Sequence, residues 1–319
     1  MDDGVGPLVV GGDSDWSPMG RRRPLGGLVL FVFALAFVFA PAAGAAPLAP
    51  VASWTEITAG GELLSPGPLP RWQSVVPSGV HAVALAVTRD GLRAWVAGAD
   101  GGVFAVTGSN VGGTRQPTTG FFGSLPSMEL SPRGQVVGIA ATPDGRGYWL
   151  VGSDGGVFAF GNARFFGSLG AAARGRIVGI AATPDGGGYW LVGSDGGVFA
   201  FGDARYLGSL PGKRITSLGN IVGFAATIDG RGYWLAASDG AVFAFGDAPF
   251  LGRDQRSIDP VVAIVAAPRG SGYGFVHRDA RVVGFGSMPS GGVCTNVAVF
   301  SPVIVSASAY PARSRVCNA

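Results

Sequence analysis

Aspartates at regular intervals are the residues in this chain whose type and spacing most readily suggest chemistry. One set consists of Asp100, Asp154, Asp195, Asp239 and Asp279. A second set, ten residues earlier in each copy, consists of Asp90, Asp144, Asp185 and Asp229. Carboxylates bind calcium or act as acids and bases when several converge on one point. A residue needed by a turn instead recurs wherever the turn recurs. We therefore interpret both sets as turn residues and predict no catalytic residue, metal site or cofactor.

The only two histidines are His81 and His277. His277 takes the place that Gly152, Gly193 and Ala237 hold in the other copies, so it is not part of the repeating pattern. A nucleophilic triad of the hydrolase type would need a GxSxG elbow between a strand and a helix, and the sequence has no such elbow. We expect His277 to be a solvated side chain, with a catalytic or ligand-binding role as the alternative.

The first 45 residues have the pattern of an export signal. Three consecutive arginines precede an apolar run of sixteen residues, Leu25 to Ala40, and Ala43-Gly44-Ala45 follows as an A-x-A cleavage site. We predict cleavage after Ala45, with Met19 as a candidate start. A retained anchor is the alternative, but a membrane-spanning helix needs about 20 residues. The predicted location is therefore secreted or attached to the cell envelope, with membrane contact only through an uncleaved signal.

The two cysteines, Cys294 and Cys317, lie close together near the C-terminus. In an exported protein two thiols most simply form one disulfide, and this one would contribute about 3 kcal/mol by restricting the unfolded chain. Two free thiols are the alternative. The chain carries a net charge of only +3, and no basic run alternates with aromatic residues. We therefore predict no nucleic-acid partner.

A repeat accounts for most of the remaining chain. The stretch GYWLVGSDGGVFAFG occupies residues 147–161 and again 188–202, and a close copy, GYWLAASDGAVFAFG, occupies 232–246. The spacings are 41 and 44 residues, and a more divergent copy flanks the set on each side. We predict five units over residues 81–290, an N-terminal segment at 46–80 with a closing strand, and a C-terminal segment at 291–319 with the disulfide.

Each unit has the pattern of four short strands. In the third unit these are IVGIAATP (177–184), GYWLVGS, GVFAFG and ARYLGSL, separated by Asp-Gly turns. Four strands in 40 to 45 residues is the period of a β-propeller blade. We therefore predict an all-β propeller of five four-stranded blades, or six if the terminal segments pair. Small residues such as Gly179 and Ala181 would lie at the crowded axis, and Tyr189 and Trp190 would fill the space between blades.

The segment GYWLVGSDGGVFAFGDARYLGSL (188–210) resembles the repeat of secreted actinobacterial proteins whose modules look like β-propeller blades. Those proteins often carry cell-wall hydrolase or peptidase domains. The resemblance implies the propeller architecture and an exported, envelope-associated protein. It supplies no catalytic residue to transfer to this chain.

The loops between units vary in length and charge while the units themselves do not. We expect these loops to lie beside the second turns and name their basic residues the loop rim: Arg174, Arg176, Lys213 and Arg214. Variable loops on a rigid repeat scaffold are where binding is usually found. We therefore predict a non-enzymatic binding or scaffold module for a protein or an envelope glycan. The alternative is a polysaccharide hydrolase or lyase on the same fold.

Overall fold

The computed structural model describes residues 77, 80–88, 93–106, 120–169, 176–217, 219–254, 259–267, 272–277, 281–288 and 290–292, and short strands at 51–53, 56–57, 63–64 and 310–312. The predicted export signal and both cysteines, Cys294 and Cys317, lie outside these residues. The cleavage site and the disulfide therefore stay predictions.

The described residues form short β-strands and two single 3₁₀ turns, which confirms the all-β class. Before the repeats lie β1 (Val51–Ser53), β2 (Glu56–Ile57) and β3 (Leu63–Leu64). The repeats contain β4 (Ala82–Val87), β5 (Ala94–Gly98), β6 (Val103–Val106), β7 (Val136–Ala141), β8 (Gly147–Gly152), β9 (Val157–Gly161), β10 (Ile177–Ala182), β11 (Gly188–Gly193), β12 (Val198–Gly202), β13 (Ile221–Ala226), β14 (Gly232–Ala237), β15 (Val242–Gly246), β16 (Val261–Ala266), β17 (Gly272–His277) and β18 (Arg281–Gly286). After them come β19 (Gly291–Gly292) and β20 (Tyr310–Ala312), and the 3₁₀ turns are Pro126–Met128 and Pro211–Lys213.

Each repeat folds as one antiparallel sheet whose strands follow one another in chain order. The first strands of consecutive repeats lie side by side, so that β4 neighbours β7, β7 neighbours β10, β10 neighbours β13, and β13 neighbours β16. The terminal segments also meet, because β1 pairs with β20 in antiparallel register.

The prediction of four strands in each repeat is wrong for the first four repeats, which form three-stranded sheets. The fifth sheet gains β19 as its fourth strand. The segment ARYLGSL, predicted as a fourth strand, contains no ladder residue. Its backbone groups are bonded instead by side chains from two different sheets, which removes them from strand pairing.

We call the equivalent segments 120–125, 163–169, 204–210 and 248–254 the clamped segments. A buried indole N–H of the same repeat donates to a backbone carbonyl in each of them at 2.7–2.8 Å: Trp95 to Gly120, Trp149 to Arg164, Trp190 to Arg205 and Trp234 to Pro249. The next repeat supplies a tyrosine hydroxyl that accepts a backbone N–H at 3.1–3.3 Å: Tyr148 from Phe122, Tyr189 from Phe166, Tyr233 from Leu207 and Tyr273 from Leu251. The same hydroxyls donate to the carbonyls of Gly123, Gly167, Gly208 and Gly252. Each clamped segment therefore joins two repeats.

Close approach between first strands explains their small residues. A Cβ placed on Gly223 would lie 2.8 Å from the backbone nitrogen of Ile264 in the next first strand. The equivalent position of Gly138 lies 3.3 Å from the nitrogen of Ile180. Both distances are shorter than ordinary van der Waals contact, so larger side chains would push neighbouring sheets apart. Close packing of neighbouring first strands is therefore observed at Gly138 and Gly223, while the place of Gly179 and Ala181 at a propeller axis stays a prediction.

Candidate functional site

The aspartates of the second turn support the turn rather than a site. The Oδ1 atom of Asp195 accepts the N–H of Gly197 at 2.9 Å, and Asp100, Asp154 and Asp239 make the same bond at 2.9–3.1 Å. The glycine that follows Asp195 has a φ of 80°, a left-handed conformation that costs glycine little. The prediction that this set serves turns is confirmed for these four, and Asp279 lies outside the described residues.

The aspartates of the first turn also bond within their own turn. Thr183 Oγ1 lies 2.8 Å from Asp185 Oδ1, and the N–H of Gly187 donates to the same oxygen at 3.2 Å. Asp144 and Asp229 repeat this arrangement with Thr142 and Thr227. Asp90 lies outside the described residues.

The first turns of the third and fourth repeats each bring two carboxyl groups together, and in the fourth Thr227 Oγ1 lies 2.8 Å from Asp229 Oδ1 and 3.5 Å from Asp247 Oδ1. Thr183 Oγ1 also lies 3.1 Å from Asp203 Oδ1, on the residue that follows the third strand. Hydrogen bonding from Thr183 lowers the pKa of Asp185, while partial loss of hydration and the neighbouring Asp185 raise the pKa of Asp203. The second repeat has Asn162 at this position, whose amide donates to Asp144 at 2.7 Å. Since Asn162 bonds to the turn aspartate of the second repeat in place of a second carboxyl group, we assign the pair to the turn.

The loop rim lies where the sequence places it, beside the second turns. The carbonyl of Arg176 accepts the N–H of Ser194 at 2.9 Å, and the N–H of Leu210 donates to Gly196 O at 3.1 Å. The 3₁₀ turn after Leu210 carries Lys213 and Arg214. Arg176, Lys213 and Arg214 are all exposed, on segments whose backbone lies beside the second turn of the third repeat. Arg174 lies outside the described residues, and the binding role of all four stays a prediction.

The expectation that His277 is a solvated side chain is wrong. His277 is fully buried on β17, and its Nε2 lies 3.0 Å from Oδ2 of Asp254, whose side chain is also nearly inaccessible. Its Nδ1 lies 3.0 Å from the carbonyl oxygen of Asp259. Both neighbours are oxygen atoms, so the ring bridges the Asp254 side chain and the Asp259 backbone. The pair ties the loop before β16 to the fifth sheet.

The sequence contains a signal for this pair that a reading of His277 alone misses. Asp254 stands where the earlier clamped segments end in Leu125, Leu169 and Leu210. The fourth repeat therefore departs from the pattern at this position, and the fifth departs at the position that contacts it. Two departures that replace apolar residues by an acid and a base indicate a contact, since neither charge would be stable buried alone.

No three His, Cys, Asp or Glu side chains of the described residues are grouped as metal ligands would be. No helix in the described part of the chain has the length and apolar character needed to cross a membrane. The chain matches no protein-family model and no curated protein.

Proposed function

We propose that this protein is an exported, non-enzymatic binding or scaffold module, built as a β-propeller, that takes a protein or a cell-envelope glycan on its loop rim. The neighbouring first strands would surround the propeller axis, and the pairing of β1 with β20 would help to close the ring. Export rests on the signal pattern of residues 1–45 and on the resemblance to secreted actinobacterial repeat proteins.

The observation that carries this proposal is the contrast between packing residues that recur from repeat to repeat and cationic side chains that are exposed in the loops. The repeated tryptophans and tyrosines are buried and bonded to backbone, and the described turn aspartates bond within their turns. Arg176, Lys213 and Arg214 are exposed at one edge of the third repeat. Exposed cations held beside a rigid turn are suited to an anionic partner.

The alternative, a polysaccharide hydrolase or lyase, would need paired carboxylates facing the substrate. The described first strands contain only Ala, Val, Leu, Ile, Gly and Phe. The carboxyl groups of Asp185 and Asp203 lie close together, but both are within hydrogen-bond distance of Thr183 in their turn. Release of new reducing ends from envelope polysaccharide by the purified protein would favour the enzyme over the binding module.

The test uses the protein secreted by cells that express the full chain. N-terminal sequencing should give Ala46, and recovery of the longer chain only from membranes would contradict cleavage and release of the mature protein. The secreted protein is then immobilised and exposed to envelope extract. The triple variant Arg176→Gln, Lys213→Gln and Arg214→Asn should lose the retained partner, because the attraction of exposed charges is the interaction removed. Asparagine at 214 suits the left-handed φ of 56° there.

The matched control replaces Arg146 and Arg231 by glutamine. Both are exposed but lie at the first turns, at the opposite ends of the second strands. This control should keep the partner, and all variants should melt together with the wild type. Equal retention by the triple variant and the wild type would refute the loop rim as the binding surface.

A further inference from the structure

Four exposed aromatic side chains occupy the same position in four consecutive repeats. Phe121 is 55% exposed, Phe165 58%, Tyr206 56% and Phe250 40%. They are the second residues of the motifs GFFGSL, RFFGSL, RYLGSL and PFLGRD. Large exposed apolar side chains at one repeated position indicate an interaction surface, because isolated ones would be scattered. We call these four residues the aromatic row.

The fold fixes the backbone on both sides of every member of the row. For Phe165, the carbonyl just before it accepts from Trp149 at 2.7 Å, and the N–H just after it donates to Tyr189 at 3.2 Å. The clamped segments give Phe121, Tyr206 and Phe250 the same pair of bonds. An aromatic side chain on a fixed backbone loses little freedom on binding, which favours affinity.

Packing of the repeats does not require these four rings. In three of the four segments the next residue in the chain is partly buried, as Phe166 is against Trp149 and Tyr189, with ring centroids 6.4 and 5.7 Å away, whereas Leu251 is 37% exposed. The hydroxyl of Tyr206 lies 3.0 Å from Ser209 Oγ, which settles the direction of that ring but leaves its face exposed. Between 40% and 58% of each of these residues is exposed, so the fold depends on them less than on the fully buried rings.

Positive charge accompanies the row in the central repeats. Arg164 and Arg205 immediately precede Phe165 and Tyr206, and both are exposed. Lys213 of the loop rim folds back over the same segment, because its Cε lies 3.6 Å from where a Cβ on Gly208 would be. The row is therefore continuous with the loop rim, and its charge complements an anionic partner.

We propose that the aromatic row binds a linear anionic polysaccharide that runs along consecutive repeats, with each ring against the apolar face of a sugar and the flanking cations against carboxylates of the same polymer. A repeating ligand fits a surface that presents the same flat ring at the same position of each repeat. The inference rests on the proposed binding function and specifies the chemistry of its partner.

The experiment measures retardation of the secreted protein in native gels that contain alginate, polygalacturonate or hyaluronate, which are linear polymers of uronic acids. The wild type should be retarded by at least one polymer, and retardation should weaken as salt rises because exposed charges are screened. The double variant Phe165→Ser with Tyr206→Ser should bind at least tenfold more weakly, since aromatic residues at a binding centre carry much of the affinity.

Two control variants test whether the lost binding is due to the aromatic rings of the row. Tyr206→Phe keeps the ring and loses the hydroxyl, so its binding should match the wild type. Ile228→Ser removes another exposed apolar side chain, 55% accessible, at a first turn outside the row, and should bind normally. Melting curves of all variants should coincide with the wild type, which excludes unfolding as the cause of lost binding.

Several outcomes would overturn the inference. Absence of retardation by all three polymers refutes the polysaccharide, while a partner retained from envelope extract by the loop rim would leave the proposed function standing. Equal retardation of the double variant and the wild type refutes the row. A wild-type dimer that the double variant converts to monomer would assign the row to self-association. Binding of the wild type, but not the double variant, to anionic phospholipid vesicles without polymer binding would assign it to a lipid surface.

Discussion

Replacement of Trp190 by alanine should destabilise the protein far more than it weakens any binding. Trp190 is fully buried, with its ring centroid 5.8 Å from Phe224 and 6.1 Å from Tyr233. Its indole N–H donates to the Arg205 carbonyl at 2.8 Å. Truncation of a buried tryptophan costs about 3–5 kcal/mol, of which the lost hydrogen bond accounts for about 1 kcal/mol.

A second substitution separates the ring from its hydrogen bond. Trp190→Phe keeps an aromatic ring but removes the donor to Arg205, so we expect a loss of about 1–2 kcal/mol, the cost of an unpaired acceptor plus a small cavity. Tyr206→Ala is the matched control, because Tyr206 is an exposed aromatic residue of the same repeat. Its free energy of unfolding should stay within about 0.5 kcal/mol of the wild type.

Urea unfolding followed by far-ultraviolet circular dichroism measures these effects without relying on tryptophan fluorescence. With a denaturant slope of about 3 kcal/mol/M for a chain of this size, Trp190→Ala should lower the midpoint by about 1–1.7 M. An unchanged midpoint together with lost partner binding would refute the packing role. It would mean that the tryptophans form a recognition surface instead.

Partial desolvation and Asp185 raise the pKa of Asp203, so a penalty is present above that pKa and vanishes as pH falls through it. Asp203→Asn should therefore raise the melting temperature only slightly at pH 7, because the exposed carboxylate is screened by solvent, and scanning fluorimetry should find the gain smaller in acid. Burial raises the pKa of Tyr148 and Tyr233 to about 12, so their stabilisation should be complete below about pH 10 and be lost as pH approaches 12; alkaline unfolding curves measure this. Gly223→Ala should cost about 1–3 kcal/mol in urea unfolding, because its Cβ would lie 2.8 Å from backbone.

Each of these predictions has a result that would contradict it. A lower melting temperature for Asp203→Asn at pH 7 would show that the second carboxylate stabilises its turn. Loss of structure well below pH 10 would exclude the tyrosines as the cause of alkaline unfolding. Gly156→Ala is the control for Gly223→Ala, since its nearest neighbour would lie 3.4 Å away, and equal costs for both would refute the argument from close approach.

Sequence patterns are sufficient to predict the three strands of each repeat and the described turns between them. These elements depend on local alternation of apolar residues and on the geometry of Asp-Gly turns. Tyr189 and Phe201, for example, face each other across β11 and β12 as the period of two requires. The segment ARYLGSL has the same composition as a strand, yet it forms none. Its hydrogen bonds go to Trp190 and Tyr233, and a pattern within one segment cannot reveal partners that lie in two sheets.

The candidate site was predicted less completely for a related reason. The position of Arg176, Lys213 and Arg214 beside the second turns follows from strand order, which the repeat supplies. The burial of His277 depends on Asp254 and on the path of the loop after it, neither of which repeats. The aromatic row was hidden because each of its members precedes a second large apolar residue, and the sequence alone does not show which of the two is exposed. Only their backbone bonds decide that Phe166 packs and Phe165 is exposed.

The bond from each tyrosine to the preceding clamped segment has a consequence for how such a gene changes. Each unit of this chain contributes half of such a joint at each end. A tyrosine such as Tyr189 bonds to the clamped segment of the preceding unit, and a clamped segment such as 204–210 bonds to the tyrosine of the next unit. Recombination between the two identical stretches at 147–161 and 188–202 adds or deletes DNA in whole periods. Every such event would insert or remove one tyrosine together with one clamped segment. An array with more or fewer units would therefore keep a tyrosine partner for each clamped segment between its repeats.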